Sequence, residues 1–230
     1  MTAKPKKIAV LGTGRSGTNF FAAIVSELKK DVKHESMGAD GIASWCLVAN
    51  VEDAVYGPGG AILDSSFLVG HQVRHPLKVI GSLTTFNKAS WNYIQANSPE
   101  LPRRIMHRAM KHWLDWNTRA SYLASHTWKL EDLESLQPSI LTELGWEVSP
   151  EEWSAAYKRA RRGANTGYSR ASNSLFNPQV GPITQWRRHK YKNRKSLLNW
   201  QELSDIDAPL AIDIKAFAHA LGYDTELHKS

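Results

Sequence analysis

The fold class of this chain is indicated most clearly by one stretch near its start, Lys7-Ile8-Ala9-Val10-Leu11-Gly12-Thr13-Gly14-Arg15-Ser16-Gly17-Thr18-Asn19-Phe20-Phe21. Its first five residues form a short, largely apolar run, which is typical of a strand buried on both faces. A glycine-rich turn follows and opens directly into an apolar-periodic segment that predicts a helix through about Leu28. The sequence therefore predicts a strand, a loop and a helix N-terminus in direct succession.

The loop has the composition of an anion-binding site. Its three glycines allow several backbone N–H groups to face one point, and the helix dipole adds positive charge there. The guanidinium of Arg15 adds a further charge. An ordinary tight turn between strand and helix is the alternative explanation. We expect a phosphate-like group to be bound by Gly14, Arg15, Ser16, Gly17, Thr18 and Asn19.

The loop departs from the Walker A pattern of nucleoside triphosphatases. Gly12 to Gly17 supplies the GxxxxG frame, but Thr18 and Asn19 occupy the positions of the usual Lys and Ser/Thr. The lysine that contacts the γ-phosphate is therefore missing. A cation directly before Ser-Gly-Thr resembles instead the 5′-phosphosulfate loop of sulfotransferases that use 3′-phosphoadenosine 5′-phosphosulfate (PAPS).

A second motif lies between Phe67 and Leu83, where an apolar strand ends at Arg74 and His75-Pro76 stops it. Proline is tolerated in the first turn of a helix, so a helix can follow at once. Arg74 and Ser82, eight residues later, resemble the 3′-phosphate element of the same family. The resemblance implies that both side chains hold the 3′-phosphate of the cofactor. A cation that caps the edge of the sheet is the alternative for Arg74.

A third segment, His126 to Leu133, is predicted to form a strand followed by the start of a helix. It is similar to the Glu-Asp-Leu segment of many sulfotransferases. The resemblance covers roughly residues 7 to 133. It implies an α/β, three-layer P-loop-NTPase-like domain with a central parallel sheet flanked by helices. It also implies transfer of a sulfuryl group from PAPS to a hydroxyl or amine acceptor by in-line displacement, leaving adenosine 3′,5′-bisphosphate.

The candidate catalytic base follows the second predicted strand, Asp31 to Glu35, at the edge of the sheet where ligands bind. Side chains alternate along a strand, so His34 and Glu35 are expected on opposite faces, with one of them facing the loop. Several sulfotransferases use a Glu at this place, which favours Glu35 and leaves His34 as the alternative. Arg15 is expected to stabilise the charge of the transferred group. His71 is expected to be a buried core residue.

The remaining helices and strands are predicted from the periodicity of apolar residues and from the Gly and Pro residues that interrupt it. Residues 42 to 51 are predicted as a short helix that packs Trp45, and residues 61 to 64 as a brief strand. Residues 87 to 125 are helical with a break at 98–102. Further helices are predicted over 131–144, from Ser149-Pro150 to about Arg162, and over 197–203 and 210–221, and residues 163–195 are predicted to be irregular and basic.

The irregular segment lacks the Arg-Lys-Gly motif with which the family contacts its cofactor. The most similar sequence in this segment is Trp186-Arg187-Arg188. This makes Arg187 a candidate cofactor contact, with a solvated basic face as the alternative. The sequence shows no spacing typical of a metal site, so no metal is expected.

Length and composition limit the remaining possibilities. A chain of 230 residues with 42% hydrophobic content is enough for one domain over 1–230. The single Cys46 excludes an internal disulfide, and no apolar stretch is long enough for a signal peptide or membrane span, so we expect a cytoplasmic protein. The acceptor is expected to be a small molecule, a carbohydrate or a lipid.

The net charge of +7 suits an anionic ligand and would also suit nucleic acid. No helix-turn-helix, zinc or RNA-binding signature accompanies the basic residues, which disfavours nucleic acid. A nucleotide kinase of the related P-loop fold and a basic nucleic-acid-binding module remain the alternative functions.

Overall fold

The computed structural model describes residues 6–49, 65–98, 100–136, 138–173 and 198–225. The chain divides into two compact units, one from Met1–Val73 with Arg119–Asn177 and the other from Arg74–Thr118 with Pro178–Ser230. The expectation of one sulfotransferase domain over 1–230 stays a prediction.

The first unit is built on a parallel sheet. Among the described residues the sheet has five strands in the order β2-β3-β1-β4-β5, and every neighbouring pair is parallel. Helices flank this sheet, which confirms the predicted α/β class. The strands are β1 Lys7–Leu11, β2 Val32–His34, β3 Gly41–Ala43, β4 Phe67–Val73 and β5 His126–Lys129.

The described helices agree with most of the predicted ones. The loop after β1 leads into the first helix as expected, and proline begins the helix after β4. The helices are α1 Thr18–Glu27, α2 Pro76–Leu83, α3 Lys88–Asn97, α4 Ile105–Leu123, α5 Pro138–Glu143, α6 Pro150–Asn173, α7 Trp200–Ile206 and α8 Ala208–Ala220.

Strand β1 lies at the centre of the sheet and is buried on both faces, as its sequence predicts. Ile8 and Val10 belong to a hydrophobic cluster that also contains Phe21 of α1 and Trp153 of α6. The intervening Ala9 and Leu11 point to the other face and are fully buried as well. Burial on both faces removes most freedom of register, so the end of β1 is a rigid base for the loop that follows.

Helix α6 starts where the sequence predicts and runs further than predicted. The Ser149 hydroxyl accepts the backbone N–H of Glu152, and the Glu152 carboxylate accepts the backbone N–H of Ser149, which completes a capping box. The helix continues to Asn173, so residues 163–173 are helical rather than irregular. Extension of an established helix adds a hydrogen bond for each residue ordered, and it needs no apolar periodicity. Residues 174–195 lie outside the described part of the chain.

The predicted helix over residues 42–51 is wrong. Residues Gly41–Ala43 form β3, and a single 3₁₀ turn, Cys46–Val48, follows. The backbone of β1 dictates this outcome, because Ser44 donates its N–H to the Val10 carbonyl at 2.9 Å and Ile8 donates to Asp40 at 2.9 Å. Pairing with a neighbouring strand here overrides local helix propensity. The strand predicted over 61–64 lies outside the described residues.

The helix predicted over residues 131–144 is split. A 3₁₀ helix covers Leu130–Ser135, and α5 begins separately at Pro138. Proline cannot sit inside an α-helix without losing a hydrogen bond, whereas it fits the first turn.

The second unit consists of α2, α3, most of α4, α7 and α8. The predicted break at 98–102 separates α3 from α4, as expected. Helix α4 contacts α8 through a distance of 2.8 Å between His107 Nε2 and Asp207 Oδ2 and through an edge-to-face contact between Trp113 and Phe217. Asp207 also accepts the Leu210 N–H and so caps α8. No helix in the described part of the chain is long and apolar enough to cross a membrane.

Candidate functional site

The loop between β1 and α1 needs glycine at two positions. A Cβ atom on Gly12 would lie 2.5 Å from the Gln72 carbonyl oxygen, which is backbone and cannot move aside. Gly17 has a φ of 95°, and a Cβ there would lie 2.8 Å from Leu130. Arg15 also has a positive φ, 72°, which a residue with a side chain rarely adopts. The loop is therefore tightly wound, as the glycine pattern predicted.

A buried glutamine holds the loop from the neighbouring strand. Gln72 of β4 is fully buried and donates from Nε2 to the Ser16 carbonyl at 3.0 Å. Its Oε1 accepts the indole N–H of Trp128 on β5 at 3.2 Å. Within the loop, the Ser16 N–H donates to the Thr13 carbonyl at 3.1 Å. Sequence reasoning missed Gln72, because its partners lie far away in the chain.

Two hydroxyl groups in this loop are buried without a partner among the described residues. They are Oγ1 of Thr13, which is 1% exposed, and Oγ of Ser16, which is fully buried. Buried polar atoms are nearly always hydrogen-bonded, so such groups indicate a bound ligand or water. Helix α1 begins at Thr18, and the helix itself supplies no partner for the N–H groups of Thr18 and Asn19, whereas the Phe20 N–H donates to the Gly17 carbonyl at 2.9 Å. The loop thus offers hydroxyl and amide donors to an anion.

The structure brings the loop together with the two candidate bases. Thr18 Oγ1 lies 3.3 Å from Nε2 of His34, and the same nitrogen lies 3.8 Å from Oε1 of Glu35. The three side chains meet at the carboxyl ends of β1 and β2, where a parallel sheet presents its ligand edge.

The expectation that His34 and Glu35 point to opposite faces is wrong. Strand β2 ends at His34, and Glu35 adopts a φ of 56°. Alternation applies only to extended backbone, so this left-handed residue turns its carboxylate toward the same side as the imidazole.

Burial lowers the pKa of His34 below its ordinary value of 6.5, and the nearby Glu35 carboxylate opposes this with a smaller raising effect. The imidazole is therefore neutral at pH 7 and meets the Thr18 hydroxyl as a neutral partner.

Trp45 contacts the candidate base directly. Its indole Nε1 donates to Oε1 of Glu35 at 2.8 Å, and the residue is only 8% exposed. Strands β2 and β3 pair with His34 opposite Ala43, so the residues that follow them come close together. Sequence analysis placed Trp45 in a helix and missed this contact. The short apolar run Gly41-Ile42-Ala43 was the available signal for β3.

The two residues predicted for the 3′-phosphate belong to the second unit. Arg74 follows β4 directly and is half-buried, and Ser82 lies in the last turn of α2 and is buried. Their joint role stays a prediction. His71 is fully buried in β4, as expected of a core residue.

Of the remaining candidates, Asn19 is exposed at the start of α1, and Gly14 is buried in the loop. Arg187 lies outside the described residues. Within the described ranges, no group of three His, Cys, Asp or Glu side chains is arranged to hold a metal ion.

Comparison with known proteins gave little beyond these observations. No protein-family model and no curated protein matches the sequence. Among solved structures, the chain is similar to mouse sulfotransferase SULT7A1 complexed with PAP. The two chains are 11% identical, the match covers 95% of this chain and 90% of that one, and the TM-score is 0.40.

Proposed function

We propose that this protein is a sulfotransferase that moves a sulfuryl group from PAPS to a hydroxyl or amine group of a small-molecule, carbohydrate or lipid acceptor. The observation that carries the proposal is the loop from Gly12 to Thr18. It combines a tightly wound, glycine-dependent backbone with two buried hydroxyls that lack a partner among the described residues. Two candidate bases stand beside it.

In this proposal the loop binds the 5′-phosphosulfate end of the cofactor. Gly14, Ser16, Gly17, Thr18 and Asn19 supply amide and hydroxyl donors. Arg15 places its positive charge where negative charge develops on the transferred group. On the resemblance of sequence, Arg74 and Ser82 would read the 3′-phosphate and Arg187 would add a further contact. When bound, PAPS supplies a sulfuryl group already attached to a good leaving group.

Glu35 is the proposed general base. Its carboxylate would accept the proton of the acceptor hydroxyl as the new bond to sulfur forms, a role worth about 10²- to 10⁴-fold in rate. His34 is the alternative base. Its Nε2 already faces Thr18 at 3.3 Å, and its neutral state is consistent with a hydrogen-bonding role toward the loop.

Triphosphate chemistry fits the same loop poorly. A P-loop phosphotransferase uses a Lys after the final glycine and an acidic strand end to hold Mg²⁺. Here Thr18 stands after Gly17, and the two strands beside β1 are followed by Ser44 and Arg74 rather than by carboxylates.

Equilibrium titration with three ligands at one salt concentration tests the proposal. We expect adenosine 3′,5′-bisphosphate to bind more tightly than ATP with Mg²⁺, and a DNA duplex to bind weakest. Arg15→Ala should weaken the bisphosphate, whereas Arg103→Ala, which removes an exposed cation of the second unit, should leave it unchanged. Tightest binding of ATP would support the kinase, and tightest binding of DNA would support the nucleic-acid-binding module.

A further inference from the structure

We propose that Trp45 is a positioning residue for the reaction, because its indole N–H holds one oxygen of Glu35 and leaves the other to accept the proton. This inference rests on the proposed sulfotransferase function and adds to it a residue that acts through Glu35.

The two carboxylate oxygens of Glu35 have different surroundings. Oε1 receives the Trp45 N–H at 2.8 Å and lies 3.8 Å from Nε2 of His34. Oε2 makes no hydrogen bond or ion pair with any residue in the described part of the chain. The Glu35 side chain is 45% exposed, and an acceptor hydroxyl that approaches it would meet no competing partner at the second oxygen. The geometry therefore assigns proton acceptance to Oε2.

Trp45 is suited to this task because its backbone is anchored to the central strand. Ser44 donates its N–H to Val10 of β1 at 2.9 Å, and the Ser44 hydroxyl accepts the N–H of Cys46 at 3.2 Å. The 3₁₀ turn then closes through the Ala49 N–H, which donates to the Cys46 carbonyl at 3.0 Å. A side chain on such a rigid base places its partner more accurately than one on a free loop.

Glu35 needs an external partner for its side chain. It lies one residue beyond the end of β2 with a left-handed backbone, and a single backbone bond, to the Ala43 carbonyl at 3.2 Å, holds its N–H. The side chain itself has three torsions and is nearly half exposed. Without the indole bond, the carboxylate would spend much of its time away from the productive position.

The experiment replaces Trp45 by Phe, which removes the N–H and keeps an aromatic ring. In protein labelled with ¹⁵N-tryptophan, the indole resonance lost in Trp45→Phe identifies Trp45. We expect this resonance to move in Glu35→Gln and to stay in place in Glu147→Gln, which changes an exposed carboxylate. A resonance that does not respond to Glu35→Gln would overturn the proposal.

Turnover separates positioning from a purely structural role. The assay measures formation of adenosine 3′,5′-bisphosphate from PAPS with 4-nitrophenol, glucose and 1-decanol as probe acceptors. Trp45→Phe should lower kcat about tenfold with bisphosphate affinity unchanged, and it should add no loss in a Glu35→Gln background. Trp146→Phe, which alters another buried tryptophan of the first unit, should leave kcat unchanged.

Failure of the sulfotransferase function and failure of the role of Trp45 would give different results. Absence of product from wild-type protein with all three acceptors would contradict the sulfotransferase function. The same result would contradict the role of Trp45, which rests on that function. Normal turnover by wild type and by Trp45→Phe would overturn the role of Trp45 alone. An additive loss in the Glu35→Gln background would also overturn it, because a residue that acts through Glu35 cannot act once the carboxylate is gone.

Discussion

A single backbone angle at Glu35 places the proposed base of this protein. The φ of 56° ends the extended geometry of β2 and brings the carboxylate within reach of both His34 and Trp45. Left-handed backbone costs about 1–3 kcal/mol at a residue other than glycine. Strained residues cluster at active sites and ligand-binding positions, which is consistent with the role proposed for this carboxylate.

Replacement of the base tests that role at the level of one residue. Glu35→Gln keeps the shape of the side chain and removes its ability to accept a proton, so we expect kcat to fall about 10²- to 10⁴-fold. Affinity for adenosine 3′,5′-bisphosphate should stay within a few-fold, and His34→Ala should have a milder effect. Steady-state kinetics and titration measure both quantities. Near-normal turnover in Glu35→Gln together with a large loss in His34→Ala would transfer the role to the histidine.

A second residue, Arg74, is predicted to recognise the 3′-phosphate. Arg74→Ala should weaken adenosine 3′,5′-bisphosphate by about 2–4 kcal/mol, since a charge-assisted and partly buried contact is lost. Binding of AMP, which has no 3′-phosphate, should barely change. Calorimetry with the two nucleotides measures the difference, and Arg103→Ala is the control for a general loss of positive charge. Equal losses of affinity for both nucleotides would show that Arg74 does not recognise the 3′-phosphate.

The conformation of the loop between β1 and α1 depends on the neighbouring strands as well as on its own sequence. Gln72 ties the loop backbone to β4, and Trp128 of β5 fixes Gln72 in turn. The loop is therefore preorganised, so little ordering entropy should be lost when an anion binds.

The close approach at Gly12 gives a direct test of this packing. In Gly12→Ala the new methyl group would meet the Gln72 carbonyl and the Ser16 hydroxyl, each at 2.5 Å, so the loop must shift. We expect a loss of about 1–3 kcal/mol in the free energy of unfolding and a loss of bisphosphate affinity greater than about tenfold. Urea denaturation and titration measure these effects, with Ser26→Ala on the exposed side of α1 as the control. Unchanged affinity in Gly12→Ala would contradict the proposed use of the loop.

In the molecule as a whole, the two motifs that are proposed to bind phosphate groups belong to different compact units. The loop after β1 is part of the first unit, and Arg74 and Ser82 are part of the second. The net charge of +7 suits a cofactor with several negative charges. Nucleotide binding should therefore be measured on a protein that contains both units.

We expect this protein to show no metal-dependent triphosphate chemistry. Because no lysine follows Gly17 and no carboxylate follows β3 or β4, we expect no hydrolysis of ATP and no phosphoryl transfer from it. Sulfuryl transfer from PAPS should continue in the presence of EDTA. A coupled ATPase assay and the PAPS assay with and without the chelator check both statements. Magnesium-dependent turnover of ATP would support the kinase instead.

Features that depend on interactions between neighbouring residues could be predicted from the sequence. The apolar run before Gly12, the proline that begins α2 and the Ser149 capping box all act within a few residues, so local rules found them. The candidate bases beside the loop also followed from sequence, because parallel strands share one ligand edge.

Features that depend on residues far apart in the chain could not be predicted from local sequence and became clear from the three-dimensional structure. Strand β3 is three residues long and exists because β1 and β2 pair with it, so the local sequence suggested a helix there. The position of Trp45 against Glu35 and that of Gln72 against the loop follow from this pairing and from that of β4. Hydrogen bonds between strands act across large separations in sequence, and they outweigh the weak preferences of a three-residue segment.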